Sequence, residues 1–226
     1  MTVLLFDIDG TLLQAGGAGQ AAMEAALAEL FGTTRPVTGI STAGRTDHAI
    51  TRDLFAFHEI LHDETSWAAF LASYFTRLPE SLRTLQGRIL PGVEVLLEQL
   101  SRRDDLLLGV LTGNFEQGAR VKLQHFGIAH YFSFGAYGDL HADRNDVARL
   151  AWDHILQRRP QAMAHDVWVI GDTPNDIRCG KAIGAKTLAV ATGPFSQEAL
   201  MAAGADVVCS DLSDTSQIVS YLCPAR

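Results

Sequence analysis

Short, uninterrupted apolar runs alternate along this chain with stretches whose apolar residues recur every three or four positions. The runs fall at residues 3–6, 106–111, 167–170, 187–190 and 207–209. Continuous rather than alternating hydrophobicity marks strands covered on both faces. Between them, "GVEVLLEQLSRR" puts Val93, Leu96, Leu97 and Leu100 on one helical face, and "RNDVARLAWDHILQ" does the same with Val147, Leu150, Ala151 and Ile155. "SQEALMAAGA" opens on an N-cap serine and stops at a glycine. Strands alternating with helices predict a doubly wound parallel α/β fold.

Residues 15–86 break the alternation: helical stripes recur there without a strand. The stripes are Met23, Leu27 and Leu30; then Ile50, Leu54 and Phe57; then Trp67, Phe70, Leu71, Tyr74 and Leu78. They read as the core of a small helical bundle. Gly16, Gly17 and Gly19 before it, and "QGRILPG" after it, read as flexible connections. Residues 1–14 and 87–226 then form the α/β core domain, and 15–86 a helical domain inserted after the first strand.

With 226 residues, 47% hydrophobic and 19% charged, the chain can bury a real core. A net charge of −8 without a basic run argues against nucleic acid and against anionic membrane surfaces. "MTVLLF" lacks a basic stretch and predicts no signal peptide. Cys179, Cys209 and Cys223 are scattered and odd in number, which argues against a disulfide framework or zinc site and for a reducing cytoplasm. Oligomeric state stays open between monomer and homodimer.

Candidate chemistry gathers where parallel strands end, at "DIDGT", "LTGN", "GDTPND" and, before a helix, "HADRND". Asp7, Asp9, Asp172 and Asp176 would surround one cleft. Two carboxylates ~5 Å apart repel by roughly 3 kcal/mol at an effective dielectric of about 20. A hard divalent cation removes the conflict, and all-oxygen ligation suits Mg²⁺. Asp7 and Asp9, at i and i+2 on an extended strand, share a face. One carboxylate can attack phosphorus while its neighbour protonates the leaving oxygen. Gly10 permits a tight turn and offers a backbone N–H; Thr112, Gly113 and Asn114 offer donors to phosphate oxygens. Arg144 supplies a fixed positive charge.

In order and separation, "FDIDGTL", "LTGN" and "GDTPND" resemble the motifs of the haloacid dehalogenase-like superfamily, and the helical insertion resembles its C1-type cap. The resemblance implies a Rossmann-like core and an Mg²⁺-dependent phosphatase acting on a small phosphorylated metabolite, of phosphoglycolate or sugar phosphate type. Asp7 would be the nucleophile and Asp9 the acid/base. Mg²⁺ would be held by Asp7, the Asp9 backbone carbonyl and Asp172, with Asp176 in support, and Thr112 would bind the phosphoryl group. The family's usual lysine before the fourth motif is replaced: "DRND" makes Arg144 the candidate. Lys122 is the fallback, in a stretch that reads as solvated. The acid at Asp9 favours phosphoryl transfer over dehalogenation, and a lysine-free insert excludes Schiff-base phosphonate cleavage. A β-phosphoglucomutase-like mutase is the alternative, and a non-catalytic phospho-sensor a more remote one. "GRTDHAI" resembles a stretch of phosphoglycolate phosphatase-like members. Arg45, Thr46 and His48 there would face the substrate, although a helix N-cap at Thr46 or Asp47 explains the same residues.

Overall fold

The computed structural model describes residues 1–223. Strand β1 (Thr2–Phe6) leads through the two-residue β2 (Leu13–Gln14) into helices α1 (Ala18–Phe31), α2 (Asp47–Phe57) and α3 (Glu64–Thr84). The chain returns through β3 (Arg88–Ile89) to α4 (Val93–Ser101), β4 (Leu106–Leu111), α5 (Glu116–His125), β5 (Phe134–Ala136) and α6 (Arg144–Arg158). It ends with β6 (Val167–Gly171), α7 (Pro174–Ala182), β7 (Lys186–Val190), α8 (Gln197–Ala202), β8 (Val207–Cys209) and α9 (Thr215–Leu222).

The six long-range strands form one parallel sheet in the order β5-β4-β1-β6-β7-β8. The continuous apolar runs are explained by burial on both faces. Leu4 and Phe6 of β1 pack with Leu96, Leu97 and Leu100 of α4 on one side. Val3 and Leu5 pack with Val147, Ala151 and Ile155 of α6 on the other. The parallel α/β architecture follows the apolar pattern of the sequence, with β4 and β8 at the expected residues. From β1 the chain works outward to β4 and β5, and from β6 to β7 and β8, so the loops diverge between β1 and β6. In such sheets that divergence opens a crevice at the carboxyl ends of the strands.

Aromatic contacts organise the helical insert. Phe70 stacks on Tyr74 at 6.1 Å between ring centroids, and Phe55 meets Phe70 edge-on at 5.6 Å. Tyr74 and Phe75 then reach Phe115, at the start of α5, at 6.2 and 6.0 Å. Two details of the predicted stripes differ. Phe55 rather than Phe57 is the buried aromatic of α2, and Leu30 is 39% exposed near the end of α1. The connections to the insert are not simply flexible either. Leu13 pairs with Ile89 and Gln14 with Arg88 in an antiparallel ribbon that pins both ends together.

Phe70 is fully buried at the hub of these contacts. Phe70→Ala should therefore lower stability by about 3–5 kcal/mol, read by chemical denaturation. A loss under about 1 kcal/mol would show that the aromatic hub does not hold the insert.

Candidate active site

The carboxyl ends of β1, β4 and β6 and the first turn of α6 bring the candidate residues together. Asp7 follows β1 directly, its N–H donating to the Ile170 carbonyl at 2.9 Å. It is buried, as are Asp172 and Asp176. Gly10 turns the chain with φ +85°, and any Cβ there would overlap the Asp172 carboxylate, so both the turn and the close approach require glycine. Thr11 Oγ1 donates to Asp172 Oδ1 at 3.2 Å. Thr173 caps α7 in a capping box, with its N–H and hydroxyl donating to Asp176 Oδ2 at 3.0 and 2.7 Å.

One buried cation serves two of these acids. Arg144 Nη2 lies 2.8 Å from Asp7 Oδ1 and 2.5 Å from Asp176 Oδ1, and also donates to the Leu111 carbonyl at 3.4 Å. Burial pushes the Asp7 carboxyl up to about 6 against the pull of Arg144. Burial, followed by the neighbouring Asp176 and Asp7, pushes Asp172 up to about 8. Asp7, Asp172 and Asp176 each present an oxygen, all within 4.8 Å of one another. Three buried carboxylates against one guanidinium leave negative charge uncompensated, and the donors are all oxygen. The set fits a hard divalent cation.

Asp9 has a separate partner. Its side chain is 40% exposed, and Lys122 Nζ lies 2.6 Å from its Oδ2. Lys122 also donates to Asn114 Oδ1 at 2.6 Å, while Asn114 Nδ2 donates to Asp9 Oδ2 and to Thr112 Oγ1, both at 2.8 Å. The expectation of a solvated Lys122 is wrong: the residue is 5% exposed, and the attraction of Asp9 and Asp47 outweighs its desolvation. The signal was present, because Lys122 shares the inward stripe of α5 with Gly118, Ala119 and Leu123. Charge alone hid it.

These groups line a cleft of about 700 Å³ between the sheet and the insert. Gly10, Thr112, Gly113, Asn114 and Arg45 all border it. Arg45 is ion-paired to Asp53 at 2.7 Å. Thr46 is the N-cap of α2, accepting from the Ala49 N–H at 3.2 Å, and His48 Nδ1 lies 2.9 Å from the Asp139 carbonyl. Sequence reasoning singled out neither Tyr74 nor Asp47 as cleft residues. Asp47 is half-buried, its carboxyl is pushed up to about 6 by desolvation, and its Oδ2 accepts from the Phe115 N–H at 3.0 Å.

A family model described as haloacid dehalogenase-like hydrolase matches residues 4–190. A phosphoglycolate phosphatase of Vibrio cholerae is 26% identical over 224 residues, covering 96% of each chain. Among solved structures, a hydrolase from Pseudomonas syringae superposes with a TM-score of 0.73 at 20% identity, covering 98% of this chain and 99% of its own. CbbY from Rhodobacter sphaeroides, in complex with phosphate, gives 0.72 at 19% identity over 95% of this chain and 96% of its own. At these identities the two structures bear on the fold.

Raised carboxyls make the acid cluster pH-sensitive in a defined direction. Between about pH 4, the unfolded value, and the folded values near 6 and 8, the metal-free fold binds protons that the unfolded chain has lost. The contribution of Asp7 and Asp172 to stability therefore falls as pH rises through that window. Protons compete with a cation at low pH, so MgCl₂ should raise Tm more at pH 8 than at pH 5, and Asp172→Asn should remove most of that increment. Equal increments at the two pH values would contradict this account of the cluster.

Proposed function

This chain belongs to the haloacid dehalogenase-like hydrolase family; it is a phosphoric monoester hydrolase, and we propose that it cleaves a small phosphomonoester through an aspartyl-phosphate on Asp7. The observation that carries this reading is the different hold on two neighbouring acids. Asp7 is buried against Arg144, whereas Asp9, two residues on, is half-exposed and tied to Lys122 and Asn114. The curated relatives, named phosphoglycolate phosphatases, support the reaction class.

Arg144 keeps Asp7 ionised, and among the described residues no side chain donates to the other Asp7 oxygen. That oxygen attacks phosphorus as the bond to the leaving alcohol breaks. Asp9 gives its proton to the departing oxygen, and Lys122 stabilises the carboxylate left behind. Asp9 then takes a proton from the water that attacks the phosphoryl group, which restores Asp7 and releases phosphate. The Thr112 hydroxyl already accepts from the Asn114 backbone N–H at 3.3 Å and from its side chain at 2.8 Å. Its own hydrogen is thereby directed to a phosphate oxygen. Mg²⁺, held by Asp7 and Asp172 with Asp176 in support, would neutralise charge on the transferring phosphoryl group.

Residues 15–86 act in this reading as a cap that shields the phosphoryl group from bulk water, over a core of residues 1–14 and 87–226. Among the described residues no helix is long and apolar enough to cross a membrane. With three free cysteines, we place the reaction in the cytoplasm.

Asp7→Asn should fold normally and lose turnover of p-nitrophenyl phosphate with Mg²⁺; retained turnover would overturn the nucleophile assignment. Asp9→Asn should slow alkyl phosphate hydrolysis by roughly 10²–10⁴-fold. Formation of the phospho-enzyme, followed in a burst experiment, should suffer far less with p-nitrophenyl phosphate, whose leaving group needs no proton. An equal loss in that step for both substrates would count against Asp9 as the acid.

A further inference from the structure

The half of the cleft contributed by the insert says what kind of leaving group it accepts, on the reading that this is a phosphatase. Its wall is apolar: Met23 of α1, Val37 and Ile40 of the following loop, and Ile50 and Leu54 of α2. Met23, Ile50 and Leu54 keep only 5%, 7% and 5% of their surface exposed, so the wall is built into the insert's own core. A cleft of about 700 Å³ is of the size that holds ligands of many atoms. A phosphate carrying a two-carbon acid would leave that wall uncovered.

The charges point the same way. Among the described residues three cations border the cleft, and each already has a carboxylate partner. Arg144 is engaged by Asp7 and Asp176, and Lys122 by Asp9. Arg45 is held by Asp53 at 2.7 Å and by the Ser41 carbonyl at 3.0 Å. Glu24 and Asp47 add two more carboxylates to the cleft's border. A second anionic group on the substrate would meet these carboxylates without an unpaired cation, among the described residues, to receive it. Backbone donors also border the cleft. The backbone N–H groups of Gly19 and Gln20, at the start of α1, have no protein acceptor among the described residues, and both residues border the cleft. They can receive hydroxyl or carbonyl oxygens.

We propose that the preferred substrate is a phosphomonoester of an uncharged, ring-sized alcohol that lays an apolar face on the wall formed by Met23, Val37, Ile40, Ile50 and Leu54, and that short phosphorylated carboxylic acids are poor substrates. This separates the chain from what the names of its curated relatives suggest, while keeping their chemistry.

The test compares kcat/KM on acetyl phosphate, phosphoglycolate, a nucleoside 5′-monophosphate and pyridoxal 5′-phosphate, all with Mg²⁺. At least one ring-bearing substrate should exceed phosphoglycolate by about tenfold or more, the discrimination expected from one added apolar contact. Val37→Trp, at a half-buried loop position, should lower the ratio of ring-bearing substrate to acetyl phosphate by about tenfold. Glu24→Lys should raise phosphoglycolate relative to the ring-bearing substrates. Phosphoglycolate as the best substrate of the wild-type chain, or a ratio unmoved by Val37→Trp, would overturn the assignment while leaving the phosphatase reading intact. Failure of the folded protein to hydrolyse even acetyl phosphate would overturn that reading and this inference with it.

Discussion

Like-charge crowding at the junction of β1 and β6 is the constraint from which the rest of the site follows. Parallel pairing of Phe6 with Ile170 puts the ends of these strands side by side. Asp7 and Asp172 therefore cannot avoid each other, and the capping acid of α7, Asp176, joins them. At ~5 Å each ionised pair repels by roughly 3 kcal/mol even at an effective dielectric of about 20. The first turn of a helix ordinarily favours acids over bases. Arg144 nevertheless occupies the first position of α6, because from there its guanidinium reaches Asp7, Asp176 and the Leu111 carbonyl at once. All three contacts run through one nitrogen, Nη2, so a lysine there would keep the charge and would have to bring its ammonium to that same point.

Dividing the cations between two centres gives adjacent acids different surroundings. Asp7 answers to Arg144 in a closed, water-poor setting, where removing the cation would leave a buried charge exposed to its neighbours. Asp9 answers to Lys122 at the open edge of the cleft, where solvent reaches it. Asn114 ties this second centre to the Thr112 hydroxyl, so Asp9, Lys122 and Thr112 belong to one hydrogen-bonded unit. In the proposed reaction, that single network would set where the phosphate sits and where the leaving oxygen receives its proton.

Much of this was readable before the coordinates. Strands buried on both faces leave runs such as 106–111 that no alternating pattern can imitate. Acids placed directly after such runs announce the mouth of a parallel sheet. What escaped was whatever depends on pairing across the chain. The ribbon of residues 13–14 with 88–89 is too short to carry a local signal and exists because Leu13 finds Ile89. Lys122 was discounted because lysine is rarely buried, although its stripe-mates Gly118, Ala119 and Leu123 all face inward. The choice of Phe55 over Phe57 rests on the pocket that Phe70 and Trp67 offer, which no reading of α2 alone could supply.

The junction between insert and core is polar and bears on how the insert could move in the proposed reaction. The segment 44–48 lies on three core loops: the Asp47 N–H donates to the Gly113 carbonyl at 2.7 Å, Asn175 Nδ2 donates to the Gly44 carbonyl at 2.9 Å, and Thr46 Oγ1 donates to the Ala142 carbonyl at 3.4 Å. A Cβ at Gly113 would collide with the Arg45 carbonyl, so backbone meets backbone there without intervening side chains. Such polar contacts contribute only about 0.5–1.5 kcal/mol each once exchange with water is counted. They fix the geometry of the closed arrangement without making it permanent. The apolar contacts of the insert, by contrast, are mostly internal to it or run to Phe115 through Tyr74 and Phe75. Separation along the 44–48 seam would let water replace the broken hydrogen bonds while the aromatic hub stays packed. A substrate bound across that seam would add contacts to both sides and thereby favour closure.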